Sequence, residues 1–495
     1  MPETLENLRN RIDEIDEQIA KLFAERMDAV EKIGIYKKDN ALGVNQAERE
    51  KSIVKRLTKL IPAKYASAIE QVYDAIFATS KRYQSKVIGK AKFGLIGRNI
   101  SYSFSKEIHA AFADYDYEII NLEPEEVEGF FAKKEYAGCN VTIPYKRDAA
   151  ALCDELSPQA KAIGSVNTVI LRKDGTLFGD NTDYYGFLNM AEKAGVDFNG
   201  KKVLVFGNGA TSATICAAVK DKGGNVTVIS RNGKTTYADL PLHKDAQILI
   251  NATPVGTYPE TENQITSIEQ FEQAEAVLDV VYTPLASRFV QQGLDRGLKA
   301  SGGLPMLVGQ AKKAAELFAG KTISKEQEEK VFHKILRQKQ NLILIGMPGS
   351  GKTSLGKAAA EKLNRPFIDL DTEIEKREHL SIPEIFAKFG ESHFRAIETE
   401  VIAEIAKTSG AVIATGGGAV MNRRNRLNLR QNGFCVFIKR DQKLLAVDGR
   451  PVSKAKGTKQ LEKERMPVYK ELANAEIENN GKLEDALNQL LEAFK

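Results

Sequence analysis

The stretch Asn341–Thr353, NLILIGMPGSGKT, decides how the last third of the chain folds. An apolar run of strand length passes without a break into Gly346-x-x-x-x-Gly351-Lys352-Thr353. A loop of that spacing wraps backbone amides around phosphate oxygens. Gly349 and Gly351 let the chain come close, Lys352 reaches the β- and γ-phosphates, and Thr353 holds Mg²⁺. Strand, glycine loop and helix in succession form the repeating unit of an α/β domain with a parallel sheet. The loop predicts bound ATP and leaves the acceptor open.

A second strand–glycine–helix unit lies at 202–219, KVLVFGNGATSATICAAV. Gly207, Gly209, Ala210 and Thr211 form the turn, where tight backbone and a helix N-terminus suit a pyrophosphate. The following strand-like run, NVTVISRN, ends in Ser230-Arg231 rather than in an acidic residue. An acid there would bond the ribose hydroxyls of NAD, whereas Arg231 suits the 2′-phosphate of NADP(H).

The N-terminal stretch has a different period. Leu5, Leu8, Ile12, Ile15, Ile19 and Leu22 recur every three or four residues, and the seam runs on through Ala29 and Ile33. That pattern predicts one helix roughly 50 Å long to Lys37. So small a domain cannot cover such a helix alone, which points to an antiparallel bundle or an intertwined dimer. A second helix is expected from about Gln46 to Leu60 and a third after Pro62, with a polar linker near 85–92. Arg26 and Lys37 stand at seam positions, and Ser80 and Gln84 extend the apolar stripe of the third helix. Two readings are open: converging cations around a buried anion, or long side chains snorkelling to solvent.

Composition bounds the rest. A chain of 495 residues predicts about three domains, and 71 basic against 66 acidic residues leave a net charge of only +5. A nucleic-acid binder would more often carry a one-sided basic excess. The four cysteines are far apart with no CxxC pair, which argues against zinc and a disulfide framework. The N-terminus is charged and helical, and no apolar run reaches the ~18 residues of a membrane span. A cytoplasmic enzyme acting on small anionic molecules is expected, with neither membrane nor nucleic acid as partner.

Three resemblances sharpen this. Residues 92–335 resemble the shikimate dehydrogenase family through SYSFS, NVTIPYK, IGSVNTV, GDNTDYYGF, INATPVGTYP, DVVYTP and GGLPMLVGQA. The resemblance implies that Ser103, Ser105, Thr142, Asn167 and Gln310 bind substrate, and that Lys146, poised by Asp183, gives a proton to the alkoxide left by hydride transfer. It divides the region into a substrate part (92–185 and 302–335) and a Rossmann part holding NADP (186–301). Tyr102 departs from the histidine usual in relatives.

Residues 340–495 resemble shikimate kinases through FIDLDTEIEKRE, GESHFRAIE, ATGGGAV and ERMPVY. Asp369 would then lie near the metal, and Asp371 would bind the acceptor hydroxyl. Arg395, Gly417 and Arg465 would hold shikimate, and Arg450 would open a lid over ATP. Residues 1–88 resemble the all-helical chorismate mutases through LRNRIDEID, AERM and EREKSIVKRL. That implies a site of Arg9, Arg26, Lys37, Arg49, Glu50, Ser80 and Gln84 in a homodimer through these helices, with Gln46 where many relatives carry aspartate. The expectation is thus a multidomain chain: an all-α bundle, a two-domain α/β dehydrogenase and an α/β kinase. In the alternative, the bundle is a non-catalytic module for dimerisation or for sensing chorismate or prephenate.

Overall fold

A computed structural model of the chain describes residues 4–39, 47–88, 91–100, 103–113, 115–445 and 458–495. The chain divides into two units: Met1–Ser157 with Val166–Asp180 and Ala314–Lys321, and Pro158–Ser165 with Asn181–Lys313 and Thr322–Lys495.

In the first unit, the N-terminal seam is a single helix of 35 residues, α1 (Leu5–Asp39). Helix α2 (Ala47–Leu57) and α3 (Ala66–Ile88) follow, with short 3-10 turns between them at Thr58–Leu60 and Ala63–Tyr65. The linker expected across 85–92 is in part helix, because α3 continues to Ile88 and the first strand begins at Lys92. Residues 85–88, SKVI, contain no glycine or proline to stop the helix. Only the C-terminal half of α1 packs well: Val30 and Lys37 are buried, as are Phe77 and Ser80 of α3. The first half keeps its apolar seam in the open, with Leu5, Ile12, Ile19 and Leu22 all more than 55% exposed.

The same unit holds a six-stranded sheet in the order β2-β1-β3-β5-β6-β4. Its strands are β1 (Lys92–Gly97), β2 (Asp116–Asn121), β3 (Gly138–Val141), β4 (Glu155–Leu156), β5 (Thr168–Leu171) and β6 (Leu177–Asp180). Strands β2, β1 and β3 are parallel, and β5 turns antiparallel to both β3 and β6.

The second unit contains two parallel sheets. The first runs β11-β10-β9-β7-β8, from β7 (Lys202–Phe206), β8 (Asn225–Ile229), β9 (Ile248–Asn251), β10 (Ala276–Asp279) and β11 (Lys299–Ser301). The second runs β13-β14-β12-β15-β16, from β12 (Asn341–Ile345), β13 (Phe367–Asp369), β14 (Val412–Ala414), β15 (Gly433–Lys439) and β16 (Ala475–Glu478). The central strand of each, VLVF of β7 and NLILI of β12, is buried throughout. Continuous apolar runs of this kind are what a parallel sheet covered on both faces demands. The order reverses beside β7 and beside β12, and ligands of open α/β sheets bind at such switch points, beyond the carboxyl ends of the strands. Both glycine loops emerge there. Among the described residues no helix is long and apolar enough to cross a membrane.

Candidate active sites

Three loops leave the carboxyl ends of the adjacent strands β13, β14 and β12 and enclose a cavity of about 370 Å³. The loop after β12 places Lys352 in the interior, its Nζ donating to the carbonyls of Gly346 and Met347 at 2.9 Å each. Thr353 Oγ1 donates to Asp369 Oδ2 at 2.7 Å. The other oxygen of Asp369 accepts from the amide of Asp371 at 3.1 Å and so starts the helix Leu370–Glu378. Burial, reinforced by Asp369, raises the Asp371 carboxyl above the usual carboxylate range, with Lys352 and Arg395 opposing.

The third wall is Gly416-Gly417-Gly418, where side chains would not fit. A Cβ on Gly416 would lie 2.8 Å from Asp371 Oδ1, and one on Gly418 would lie 2.6 Å from Arg395 Nη2. Arg465 is buried in the same lining, and Arg395 Nη1 pairs with Glu398 Oε2 at 2.8 Å. The structure therefore brings Gly349, Gly351, Lys352, Thr353, Asp369, Asp371, Arg395, Gly417 and Arg465 to one cavity. Arg450 and the start of the expected lid, to residue 457, lie outside the described residues, and from Thr458 the segment is helix.

In the nucleotide sheet, β7 ends at Gly207, which adopts φ 109° and stands so close to the next strand that a Cβ would meet Thr253 at 2.9 Å. Gly209 precedes the helix Ala210–Asp221, and nothing lies within 4 Å of the position its Cβ would take. The turn is fixed by Ser212 Oγ, which donates to the carbonyl of Gly207 at 2.6 Å. Ser230 follows β8 and is buried, its Oγ without a hydrogen-bond partner, while Arg231 is exposed. Asp183 is buried in the first turn of the helix Thr182–Lys193, and Gln310 is buried on the helix Leu304–Ala319. These helices touch at Gly186, where a Cβ would lie 2.8 Å from the amide of Gln310.

The substrate-side residues of the first unit gather at the carboxyl end of its parallel strands. Thr142 leaves β3, and after a cis Ile143–Pro144 bond the buried Lys146 opens the helix Lys146–Leu152. Its carbonyl accepts from the amide of Val166 at 3.0 Å, next to the buried Asn167. Asn140 Nδ2 donates to the carbonyl of Asn167 at 3.3 Å and to Thr168 Oγ1 at 3.0 Å, and Tyr117 donates to Asn140 Oδ1 at 2.7 Å. Ser103 Oγ donates to Ser105 Oγ at 3.0 Å. Tyr102 lies outside the described residues.

The bundle gathers fewer of its expected residues. Arg26 Nη1 donates to Ser80 Oγ at 2.5 Å, and Lys37 is buried farther along the same helix. Glu50 pairs with Lys81 at 2.8 Å, and Arg49 and Arg9 are exposed. Arg9 sits 17 residues before Arg26 on one continuous helix, about 25 Å away along its axis. Of Gln84 only its place in α3 is described, and Gln46 lies outside the described residues.

Comparison with known proteins sets these geometries in context. The NADP(+)-dependent shikimate dehydrogenase of Clostridium perfringens (strain SM101) is 36% identical over 272 residues, covering 49% of this chain and 97% of that protein. The chain belongs to the shikimate dehydrogenase family. A shikimate dehydrogenase of Thermus thermophilus is 34% identical over 247 residues, covering 46% of this chain and 92% of that enzyme. Family models match residues 8–85 as chorismate mutase type II, 95–169 as the shikimate dehydrogenase substrate binding domain, and 348–495 as shikimate kinase. A crystal structure of a chorismate mutase/shikimate 5-dehydrogenase fusion protein from Clostridium acetobutylicum is similar over 50% of this chain and 97% of its own, at 28% identity and a TM-score of 0.47. This member of the shikimate dehydrogenase family is thus a multifunctional enzyme of the shikimate pathway, with mutase, dehydrogenase and kinase domains in one chain.

Three side chains beside these sites stand within the quoted runs GESHFRAIE, ERMPVY and DVVYTP, yet the resemblance gave them no role. Glu398, three residues after Arg395, holds that guanidinium while burial raises its own carboxyl pKa against the pull of Arg395. Tyr469, one helical turn after Arg465, donates to the carbonyl of Gly417 at 2.5 Å. Asp279, at the end of β10 in the dehydrogenase, is fully buried and pushed up to about 7. The i+3 and i+4 spacings to a named arginine were the available signals for the first two. Asp279 opens DVVYTP, a run that carried the resemblance without a role for its first residue.

Proposed function

We propose that this chain reduces 3-dehydroshikimate to shikimate with NADPH, phosphorylates shikimate to shikimate 3-phosphate with ATP, and rearranges chorismate to prephenate. The domain limits we assign are 1–88 for the mutase, 92–335 for the dehydrogenase and 340–495 for the kinase. The observation that carries the reading is the single cavity lined by Lys352, Asp371, Arg395, Gly417 and Arg465. Two guanidinium groups at one end suit a planar carboxylate, a raised-pKa carboxylate suits a hydroxyl about to lose its proton, and the phosphate-binding loop closes the other end. Mg²⁺ fits the Thr353 and Asp369 oxygens, since it takes one or two protein ligands and fills its remaining positions with water and phosphate oxygens. Bound there, it would neutralise phosphate charge.

In the dehydrogenase, bound NADPH would supply hydride for the ring ketone, and Lys146 gives the proton that converts the alkoxide to a hydroxyl. Ser103, Ser105, Thr142, Asn167 and Gln310 orient the ring. Asp183 poises the lysine. Gly207, Gly209, Ala210 and Thr211 hold the pyrophosphate, and Ser230 and Arg231 the 2′-phosphate. In the mutase, Arg26, Lys37 and Gln84 act on the ether oxygen and one carboxylate, while Arg49, Glu50 and Ser80 complete the pocket. Arg9, about 25 Å from Arg26 along α1, serves the pocket of a second copy. That requires a homodimer through the exposed seam. A second reading, a non-catalytic dimerisation or chorismate-sensing module, draws on Arg26 already being bonded to Ser80 and Glu50 to Lys81.

The test is one assay of the full chain. Dehydroshikimate, NADPH and ATP together should yield shikimate 3-phosphate, and chorismate should be consumed by the chain but not by Arg26→Ala. Accumulation of shikimate without phosphorylation would sink the kinase assignment, and inert chorismate would favour the second reading of the bundle.

A further inference from the structure

The helix Arg423–Asn432, RRNRLNLRQN, reads as a solvated surface helix, yet Asn425, Asn428, Gln431 and Asn432 are all buried. Buried amides need partners, and Asn428 and Asn432 find three of theirs in the nucleotide half of the dehydrogenase, while the side chain of Gln431 has none. Asn428 Oδ1 accepts from Arg288 and its Nδ2 donates to Glu262 at 3.1 Å. Asn432 Oδ1 accepts from the amide of Leu285 at 3.0 Å, and the carbonyl of Gln431 accepts from Ala286 at 2.9 Å. Glu262 also takes both arms of Arg424, at 3.0 and 2.7 Å. Arg288 is itself 8% exposed, so this contact is a built interior rather than a surface touch.

The other end of the same helix is tied to the kinase pocket. Its cap, Asn422, donates to Thr399 Oγ1 at 3.1 Å, and Thr399 Oγ1 donates to the carbonyl of Arg395 at 2.9 Å. Asn425 Nδ2 donates to the carbonyl of Ala419 at 2.8 Å, and the amide of Met421 bonds the carbonyl of Gly418 at 3.0 Å. One ten-residue helix is therefore anchored to the dehydrogenase on its flank and to both the glycine wall and the Arg395 helix at its start.

We propose that the dehydrogenase braces the acceptor side of the kinase pocket, with Glu262, Arg288 and Asn428 as positioning residues for acceptor binding. Neither Glu262 nor Arg288 lines the kinase cavity; both act through the helix 423–432. The brace rests on the kinase reading above for its ligand, shikimate, but not for its geometry.

The experiment uses the full chain with Glu262→Arg, which sets a third cation against Arg288 and Arg424, and with the milder Asn428→Ala. In each, the kinase KM for shikimate should rise, roughly fivefold in the first, while the KM for ATP stays put. Amide hydrogen exchange over residues 416–421, measured without ligands, should quicken in both. Unchanged KM and unchanged exchange would overturn the brace, as would KM values for shikimate and ATP rising together. If Glu262→Arg does not fold, Asn428→Ala decides. A wild-type chain that fails to phosphorylate shikimate would refute the kinase reading instead, and the exchange at 416–421 would still decide the brace.

Discussion

The kinase pocket and the helical bundle are built on opposite plans. The pocket is assembled by three loops at the ends of three neighbouring strands, and one chain supplies its nucleotide loop, carboxylates and guanidinium pair. The bundle spreads its charged residues along a helix of 35 residues, whose first half leaves Leu5, Ile12, Ile19 and Leu22 uncovered. A parallel sheet focuses distant sequence onto one point, because every strand ends at the same edge. A long helix separates what it carries by 1.5 Å per residue, so it can complete a site only by borrowing from another helix. The difference teaches that the first site is a property of one fold, whereas the second, as proposed above, draws on a second copy of the chain.

The sharpest way to break that comparison is at Lys352. Lys352→Ala should lower ATP-dependent shikimate phosphorylation about a thousandfold and leave NADPH oxidation untouched, as paired spectrophotometric assays would show. Lys146→Ala should do the reverse, with a loss of roughly a hundredfold or more in dehydroshikimate reduction. If either substitution silenced both reactions, the sites would not be self-contained.

The assembly side is tested by Ile15→Asp in the exposed seam. Light scattering should then report half the mass, and chorismate turnover should disappear while the other two activities persist. Turnover by a monomer would show that one bundle suffices.

The smallest effect concerns Asp279. Its carboxyl is pushed from 3.8 to about 7 by burial, against hydrogen bonds from Ser287, Val281 and Asn251 that favour the ionised form. The folded state therefore holds a proton that the unfolded chain releases. The resulting stability is fully present below about pH 4 and is lost as pH rises through about 7. The Tm should fall between about pH 4 and 7, and Asp279→Asn, which mimics the protonated group, should flatten that slope. A flat wild-type profile would refute the assignment.

Much of this was legible in the sequence where chemistry is local. Gly346 to Thr353 and Lys202 to Val219 each carry strand, loop and helix in one run, so the two parallel sheets follow from short stretches. The exposed seam of α1 was likewise readable as unmet need. Where the reading fell short, the cause was distance. The stretch 85–88, expected in a linker, continues α3 because no residue there breaks a helix. Glu398 and Tyr469 sit in quoted motifs but have no role until Arg395 and Gly417 stand beside them. The helix 423–432 carried no assignment, since its dehydrogenase partners lie more than 130 residues away in sequence.

The amides on that helix have a consequence for how such a chain comes to exist. A domain boundary sealed by aliphatic side chains leaves a sticky scar when a gene is split, whereas a face of asparagine and glutamine is content in water. Parted there, the kinase half would present amides that water can bond rather than an apolar scar.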